Sequence, residues 1–373
     1  MTAHARLSPS GAHRWMNCPG SVALEASYPD QSSEYAAEGT AAHFLAALCL
    51  EKGQDANSYL DRVIGILNTG EEIFADYPNQ PLAGVEYRFT VDMDMVRHVQ
   101  TYLNHVRDYA AGNELLVEQR VDYSDVINVP DSFGTSDTII IADQGTELQV
   151  HDLKYGMGVR VNAESNEQLM LYALGALNDF GMLGDFQRVR MVIHQPRLDH
   201  VSEWSLTIDD LQAFGEQARE KAALIISGET HLAVSDKACK FCKAKSTCPA
   251  LTAHVIATVT DDFDDLDVDI TPNVEAAIEA LKQCDNTRLA QIMNAADLIE
   301  GFIKAVRARV EAQLFEGQPV PGYKLVQGKK GARQWADPTT AEATLKAMRL
   351  KTEQMYDLKL ISPTTAEKLH KAA

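Results

Sequence analysis

The sequence lacks any run of about 18 apolar residues, the length that a membrane-spanning helix needs. Its first residues, MTAHARLSPSG, also lack the apolar centre of a secretory signal peptide. Cysteine is scarce, with 6 among 373 residues. These features predict a cytoplasmic protein whose cysteines are thiols or metal ligands rather than disulfides.

Basic residues are also few, because 34 Lys and Arg stand against 53 Asp and Glu, a net charge of −19 at pH 7. This balance argues against a general affinity for nucleic acids. The negative charge is unevenly distributed, since residues 1–270 carry a net charge of −22 and residues 271–373 a net charge of +3. Any binding to DNA would therefore be confined to one local channel and would be sensitive to salt.

What the chain does contain is an α/β pattern of alternating helices and strands. Helices are predicted at 41–52, 93–110, 165–180, 209–227, 273–284, 286–315 and 338–371, and strands at 115–121, 138–142, 148–155, 159–161, 188–195 and 202–208. We expect residues 54–90 to be irregular and 322–335 to form a strand pair. The pattern predicts a mixed central sheet flanked by helices over residues 1–260. An acidic linker at 261–270 and a mainly helical region at 271–373 follow.

The stretch LQVHDLKY, residues 148–155, reads as a buried strand that ends in an acid and a lysine. A turn at 143–146 joins it to the strand before it. If the hairpin closes symmetrically about that turn, paired residue numbers sum to 289, and Asp137 lies opposite Asp152. Their Cβ atoms would then be roughly 5 Å apart. Facing carboxylates repel, and a divalent metal between them would remove the repulsion.

Mg²⁺ suits this arrangement because it prefers hard oxygen ligands and keeps several waters. Two carboxylates, the carbonyl of Leu153 and waters would supply them. Lys154 lies on the strand face of Asp152, where it would orient an attacking water or stabilise developing charge. The same spacing also fits an ordinary surface hairpin with an Asp152–Lys154 salt bridge, because D-x-K is common.

Three further features accompany this pair: Gly134-x-x-Asp137, Gln168-x-x-x-Tyr172 on one helix face, and His43 in the first turn of the helix 41–52. Each also has a purely structural interpretation. Ser165 and Gln168 fit a capping box, and Tyr172 fits a core aromatic. A lone histidine on an apolar helix is often a buried, hydrogen-bonded residue.

Taken in order, this set resembles the PD-(D/E)XK nuclease superfamily, specifically the RecB-like exonuclease branch that includes Cas4 and the AddB nuclease domain. The resemblance implies hydrolysis of DNA phosphodiester bonds with Mg²⁺ or Mn²⁺, by an exonuclease rather than an endonuclease. Carried over, the metal ligands are His43, Asp137, Asp152 and the carbonyl of Leu153, the catalytic lysine is Lys154, and Gln168 and Tyr172 contact the DNA or that lysine. Glu118 is a further acid on the preceding strand, and we leave it outside the predicted ligand set.

The second signature is a set of thiols: Cys18, followed 221 residues later by Cys239-x2-Cys242-x5-Cys248. Four thiolates can hold Zn²⁺ or an iron–sulfur cluster. The same arrangement holds a [4Fe-4S] cluster in Cas4- and AddB-like nucleases, so the resemblance implies that cluster here, with Zn²⁺ as the alternative. Either centre would tie the N-terminal segment to the end of the nuclease domain. Cys49 and Cys284 are interpreted as buried thiols.

Four basic residues are candidates for DNA phosphate contacts. Lys240 and Lys243 lie beside the cysteines, Arg160 follows the strand 148–155, and Arg197 follows the strand 188–195. A solvated charged face is the alternative interpretation of the lysines.

The stretches LSPSGAHRWMNCPGS, EGTAAH, VHDLKYG, HQPR and VPGYKLVQG also resemble the phage and prophage DUF2800 family over nearly the full length. This resemblance implies a nuclease of phage recombination or replication, working in a bacterial host cell with a single-strand annealing protein. Two alternatives stay open: a non-catalytic iron–sulfur factor that binds DNA ends, and Cas4-like trimming of DNA ends.

Overall fold

Eight strands form two sheets in the computed structural model, which describes residues 5, 7–28, 33–75, 84–260, 286–326 and 338–356. The strands are β1 Val63–Leu67, β2 Glu72–Ala75, β3 Val85–Thr90, β4 Glu114–Asp122, β5 Phe133–Ala142, β6 Glu147–Leu153, β7 Arg188–Gln195 and β8 His200–Thr207. The larger sheet has the order β4-β5-β6-β7-β8 and is mixed, because only β6 and β7 are parallel. The smaller sheet is antiparallel, in the order β2-β1-β3.

Helices cover both faces of the larger sheet. Those before the cysteine segment are α1 Ala12–Trp15, α2 Ser21–Glu25, α3 Glu34–Lys52, α4 Met93–Ala110, α5 Ser124–Ile127, α6 Glu167–Phe180 and α7 Ile208–Ile226. The later ones are α8 Asp236–Cys239, α9 Pro249–Thr260, α10 Asn286–Asn294, α11 Ala296–Phe315, α12 Pro338–Ala347 and α13 Thr352–Met355. None of the described helices combines the length and the apolar composition needed to cross a bilayer.

The two faces of strand β6 belong to two different cores. Leu148 and Val150 pack with α6 and α7, whereas Leu153 packs with α3, α4 and the small sheet. This division follows from the period-two alternation of strand side chains. Asp152 shares the face of Leu148 and Val150, at the end of the strand where the apolar core gives way to polar groups.

The register of the β5–β6 hairpin confirms the symmetric closure expected from the sequence. Ile139 pairs with Val150 and Ile141 with Leu148, so paired numbers sum to 289. The turn is a short 3₁₀ segment, Asp143–Gly145, in which Gln144 has a left-handed backbone. Continuing the ladder places Asp137 across from Asp152.

Several predicted boundaries agree with the structure, and several do not. Helix α4 and strand β7 have the predicted ends. Helix α3 begins at Glu34 rather than at residue 41, because Ser33 caps it by accepting from the Ala36 N–H at 3.2 Å. His43 therefore lies in the middle of α3, not in its first turn.

The prediction that residues 54–90 are irregular was wrong, since they contain β1, β2 and β3. The prediction of a strand at 159–161 was also wrong. There the side chain of Gln195 replaces a neighbouring strand, accepting from the Val161 N–H at 2.7 Å and donating to the Val159 carbonyl at 2.9 Å. The predicted capping box at Ser165 is replaced by Asn166, whose side chain accepts from the backbone N–H groups of Gln168 and Leu169.

The chain divides into two compact units, Met1–Val310 and Glu311–Ala373, and the division falls within α11. The predicted helix 286–315 is split into α10 and α11, and residues 322–326 are not a strand. The predicted linker 261–270, the helix 273–284, residues 327–337 and the tail from 357 lie outside the described residues.

Two buried histidines lie on the α4 face of the larger sheet. His151 Nδ1 and His194 Nε2 share a hydrogen bond of 3.0 Å, and the rings stack with centroids 5.3 Å apart. Burial lowers the pKa of His194 to about 3. Burial and the neighbouring His194 lower the pKa of His151 well below its ordinary value. Both rings are therefore neutral in the folded protein at neutral pH.

Neutral burial makes these histidines a source of acid sensitivity. Below their unfolded pKa of roughly 6.5, the unfolded chain binds protons that the folded chain excludes, so the free energy of unfolding decreases as pH falls. Replacing His194 by glutamine (His194→Gln) should reduce the slope of unfolding free energy against pH between pH 7.5 and 5.5. The reduction should approach about 1.4 kcal/mol per pH unit below that pKa.

Urea unfolding at several pH values measures this slope, and comparing slopes cancels the contributions of other titrating groups. The matched control is His254→Gln, which makes the same substitution at an exposed position on α9. Equal slopes for wild type and His194→Gln would contradict the prediction.

Candidate functional site

Asp137 and Asp152 lie on adjacent strands at the end of the β5–β6 ladder, and both side chains are largely buried. The Asp137 Oδ2 atom accepts from the backbone N–H of Leu153 at 2.6 Å. Burial raises the pKa of Asp152; the Lys154 ammonium opposes this shift, and Asp137 adds to it. The two carboxylates therefore interact electrostatically, as the hairpin register predicts.

His43 reaches this pair from α3. Its Nδ1 atom lies 3.1 Å from Asp137 Oδ1. Burial alone would lower the pKa of His43, but the Asp137 carboxylate overcomes that effect and raises the pKa to about 9. In return, burial would raise the pKa of Asp137, but His43 and the Leu153 N–H hold it below the usual range. The sequence placed His43 on the right helix, and the structure brings it to the predicted partner.

Glu118 completes a group that the sequence prediction left incomplete. One ligand atom from each of His43, Glu118 and Asp137 lies within 4.8 Å of the others. The pairs that flank Glu118 in the β4–β5 ladder place it across from Asp137. Burial, and then the Asp137 charge, raise the pKa of Glu118 to about 7. That register is the signal that could have identified Glu118 from the sequence.

The backbone at Glu118 is also unusual. Its φ of 48° lies in the left-handed region, which side chains other than glycine rarely adopt within a strand. Such strain persists only where the surrounding structure holds it, and it is enriched at functional sites. The strained residue lines one pocket with His43, Asp137, Leu153 and Tyr102.

Lys154 connects Asp152 to helix α6. Its Nζ atom lies 2.9 Å from Asp152 Oδ2 and donates to Gln168 Oε1 at 3.0 Å. The Gln168 Nε2 group in turn donates to the Tyr172 hydroxyl at 3.0 Å. Burial alone would lower the pKa of Lys154, but the Asp152 carboxylate raises it, so the amine is an ammonium. The predicted residues Gln168 and Tyr172 thus contact the lysine directly or through one intermediate.

The side chains of His43, Glu118 and Asp137 are ligands that fit a hard divalent cation. Two carboxylates and an imidazole converge on one pocket, and carboxylate oxygens are the ligands that Mg²⁺ and Mn²⁺ prefer. The buried Asp152 Oδ2 atom is close to Lys154 but makes no hydrogen bond of good geometry, so it retains acceptor capacity. Leu153, whose carbonyl was the fourth predicted ligand, lines the same pocket.

The four predicted cysteines line a second cavity. Its other walls are mainly apolar and include Leu24, Leu232, Val234 and Leu251. Two of the sulfur atoms accept backbone N–H groups at 3.4 Å, Cys18 Sγ from Ala233 and Cys248 Sγ from Leu251. Residues 221 positions apart in the sequence therefore meet in one place, and the donor set fits a thiolate-bound metal centre.

The thiols repel one another when they ionise. Burial raises the pKa of Cys239, and the neighbouring Cys248 and Cys18 raise it further. Burial also raises the pKa of Cys242 to about 12. A cationic centre would remove this penalty, because thiolates are its ligands. Cys49, by contrast, is a fully buried thiol in the core beside α4, as predicted, and Cys284 lies outside the described residues.

The basic residues predicted to contact DNA differ in their surroundings. Arg197 is mostly buried, because its guanidinium pairs with Glu38 at 2.9 Å and lies over the Tyr155 ring. Arg160 and Lys243 are exposed. Lys240 is exposed as well, with its Nζ atom 5.7 Å from the centre of the Phe241 ring.

A family model described as a protein of unknown function, DUF2800, matches residues 4–373. The match includes both groups of residues described above.

Gly134 allows the N-terminal segment to pack beside this site. A Cβ atom added there would lie 2.6 Å from Tyr172 Cε1 and 2.7 Å from Pro9 Cγ. Gly134→Ala should therefore displace Tyr172 or Pro9 and cost about 1–3 kcal/mol of unfolding free energy. Gly156→Ala is the matched control, because nothing lies within 4 Å of its added Cβ. Urea unfolding of both variants checks this, and equal stabilities would contradict the contact.

Proposed function

The chain belongs to the DUF2800 family, and we propose that it is a metal-dependent deoxyribonuclease of the PD-(D/E)XK superfamily, related to the RecB-like exonucleases. One observation carries the proposal. A His–Glu–Asp group and an Asp–Lys–Gln–Tyr chain of contacts lie together at the end of the β5–β6 ladder. The mixed sheet with helices on both faces supports the same superfamily.

The metal ligands in this proposal are His43, Asp137 and Asp152, with Glu118 added from the geometry. A bound Mg²⁺ or Mn²⁺ would lower the pKa of a water molecule and neutralise charge on the scissile phosphate. His43 would bind as the neutral imidazole, so its proton leaves on metal binding. The proton on Glu118 would leave for the same reason, because metal ligands must be deprotonated.

Lys154 would act on the reacting phosphate as a fixed positive charge. Its ammonium has three N–H donors, and the contacts to Asp152 and Gln168 use two of them. The third is available for a phosphate oxygen or the attacking water. Because these contacts hold the side chain in place, little reorganisation is needed when negative charge develops.

Gln168 and Tyr172 would keep Lys154 in position. They lie one helical turn apart on α6, so one helix face presents both. Tyr172 is also held by the close approach of Gly134, which ties the N-terminal segment to the lysine through packing. DNA as the substrate class follows from the superfamily, as does exonuclease action. A role in phage recombination with an annealing protein follows from the DUF2800 resemblance.

The second cofactor in the proposal is a [4Fe-4S] cluster held by the four cysteines, with Zn²⁺ as the alternative. Its role would be structural, because it would join Cys18 to the segment that follows α7. Closing a loop of more than two hundred residues removes much chain entropy from the unfolded state.

The catalytic assignment predicts the effect of two substitutions. Asp152→Asn and Lys154→Ala should each reduce cleavage of end-labelled DNA in Mg²⁺ or Mn²⁺ by at least about 100-fold, because each removes a group that acts on the transition state. DNA binding, measured by mobility shift without Mg²⁺ or Mn²⁺, should change little.

Asp143→Asn is the matched control, since Asp143 lies on the turn of the same hairpin and its exposed carboxylate pairs with Arg188. Wild-type cleavage rates in either active-site variant would contradict the assignment. A wild-type protein that binds DNA ends but never cleaves them would favour the non-catalytic alternative.

The cysteine assignment predicts a coloured protein. Anaerobic purification should yield iron, sulfide and absorbance near about 400 nm. Cys18→Ser should lose this absorbance and lower the melting temperature, because the long loop is no longer closed. Cys49→Ala should retain the absorbance, since Cys49 lies outside the cavity. A colourless wild-type protein with one bound zinc ion would contradict the iron–sulfur cluster and favour Zn²⁺ at the four cysteines.

A further inference from the structure

Ser21 is a buried serine whose hydroxyl has no partner in the part of the chain that the structure describes. It follows Cys18-Pro19-Gly20 and is the first residue of α2. The residue is 2% exposed, and its Oγ atom has less than 1 Å² of accessible surface and no hydrogen bond. A buried hydroxyl that leaves water without a new partner is destabilising, so its retention calls for an acceptor.

The cavity of the four cysteines supplies the place for that acceptor. Ser21 lines this cavity, and among the lining residues that the structure describes it is the only one with a side-chain hydroxyl. Lys245, a charged side chain among the described lining residues, donates one Nζ hydrogen to the Lys240 carbonyl at 2.5 Å. Ser21 is thus a hydroxyl donor in the cavity wall that has no acceptor among the described residues.

An open polar groove also borders Ser21, with Ser8, Arg14 and Glu25 on its walls. The groove is open to solvent, however, whereas the Ser21 Oγ atom has almost no solvent-accessible surface. A ligand in that groove would need the oxygen to be accessible. The cysteine cavity, which is less open than the groove, therefore explains the buried hydroxyl better.

Two of the four cysteine sulfurs already accept hydrogen bonds from backbone donors. Cys18 accepts from the Ala233 N–H and Cys248 from the Leu251 N–H, and Ser21 bonds to none of the cysteines in the described residues. We propose that Ser21 donates its hydroxyl hydrogen to an inorganic sulfide of an iron–sulfur cluster bound in this cavity. This inference rests on the cluster of the proposed function and assigns it a hydrogen-bond donor from the chain. A zinc ion would offer no such acceptor, because its ligands are the cysteine sulfurs themselves.

Such a bond has a measurable consequence. Reduction adds negative charge to the cluster sulfurs, and a hydrogen bond to sulfur stabilises that charge. Removing the donor should shift the reduction potential to a more negative value. The iron content need not change, because the four cysteines remain.

The test compares anaerobically purified full-length wild type, Ser21→Ala, Ser21→Thr and Ser132→Ala. Ser132 is the matched control, since it is a fully buried serine with an unpartnered hydroxyl away from the cysteine cavity. Each preparation is analysed for iron and sulfide, for its visible spectrum and for its potential by spectroelectrochemical titration. We expect a more negative potential in Ser21→Ala, a return toward wild type in Ser21→Thr, and no shift in Ser132→Ala.

A fully loaded Ser21→Ala protein with the wild-type potential overturns the proposal. If Ser21→Ala loses the cluster, retention in Ser21→Thr supports a required hydroxyl, whereas loss in both variants assigns Ser21 a packing role only. A wild-type protein that contains zinc and no iron also overturns it. The DNA cleavage assay on the same preparations reports on the nuclease site separately.

Discussion

Two carboxylates, Asp137 and Asp152, face each other at the end of the β5–β6 hairpin, and the site is built around neutralising them. Helix α3 brings His43 to Asp137, and the strand itself brings Lys154 to Asp152. Each buried acid thus has its own cationic partner, which makes the burial of charge tolerable. Glu118 has no such partner among the described residues, and burial, followed by the Asp137 charge, raises its pKa to about 7. The site is one cation short of balance, and that deficit is the physical basis for proposing a metal.

The N-terminal segment holds several parts of the molecule together. The Tyr123 hydroxyl donates to the Leu7 carbonyl at 2.7 Å, and Pro9 packs against the position where Gly134 has no side chain. A few residues later, Cys18 reaches the cavity of the other three cysteines. One short segment therefore contacts the strand that carries Asp137, the helix that carries Gln168, and the cysteine segment. The cofactor that we propose for the cavity would fix this segment at its far end.

The sequence predicted elements whose signals are local. A turn and a period-two pattern gave the register of the β5–β6 hairpin, and the helical pattern of residues 93–110 gave both ends of α4. It failed where the determinant is distant. Among the described residues, strands β1, β2 and β3 pair only with one another and pack on α3, and no local pattern in 54–90 marks that packing. The segment 159–161 has strand-like residues, but the side chain of Gln195 occupies the hydrogen-bonding groups that a strand would use.

The sequence by itself determined the facing acids, the lysine beside them and the set of four cysteines, because these depend on register, alternation and spacing. Only the tertiary structure decided that His43 lies beside Asp137, and that a ligand atom of Glu118 comes within 4.8 Å of both. Both depend on how helix α3 and strand β4 pack against the hairpin, over separations of 94 residues for His43 and Asp137. The unpartnered hydroxyl of Ser21 is likewise visible only in three dimensions, since burial and missing partners are properties of the packed chain.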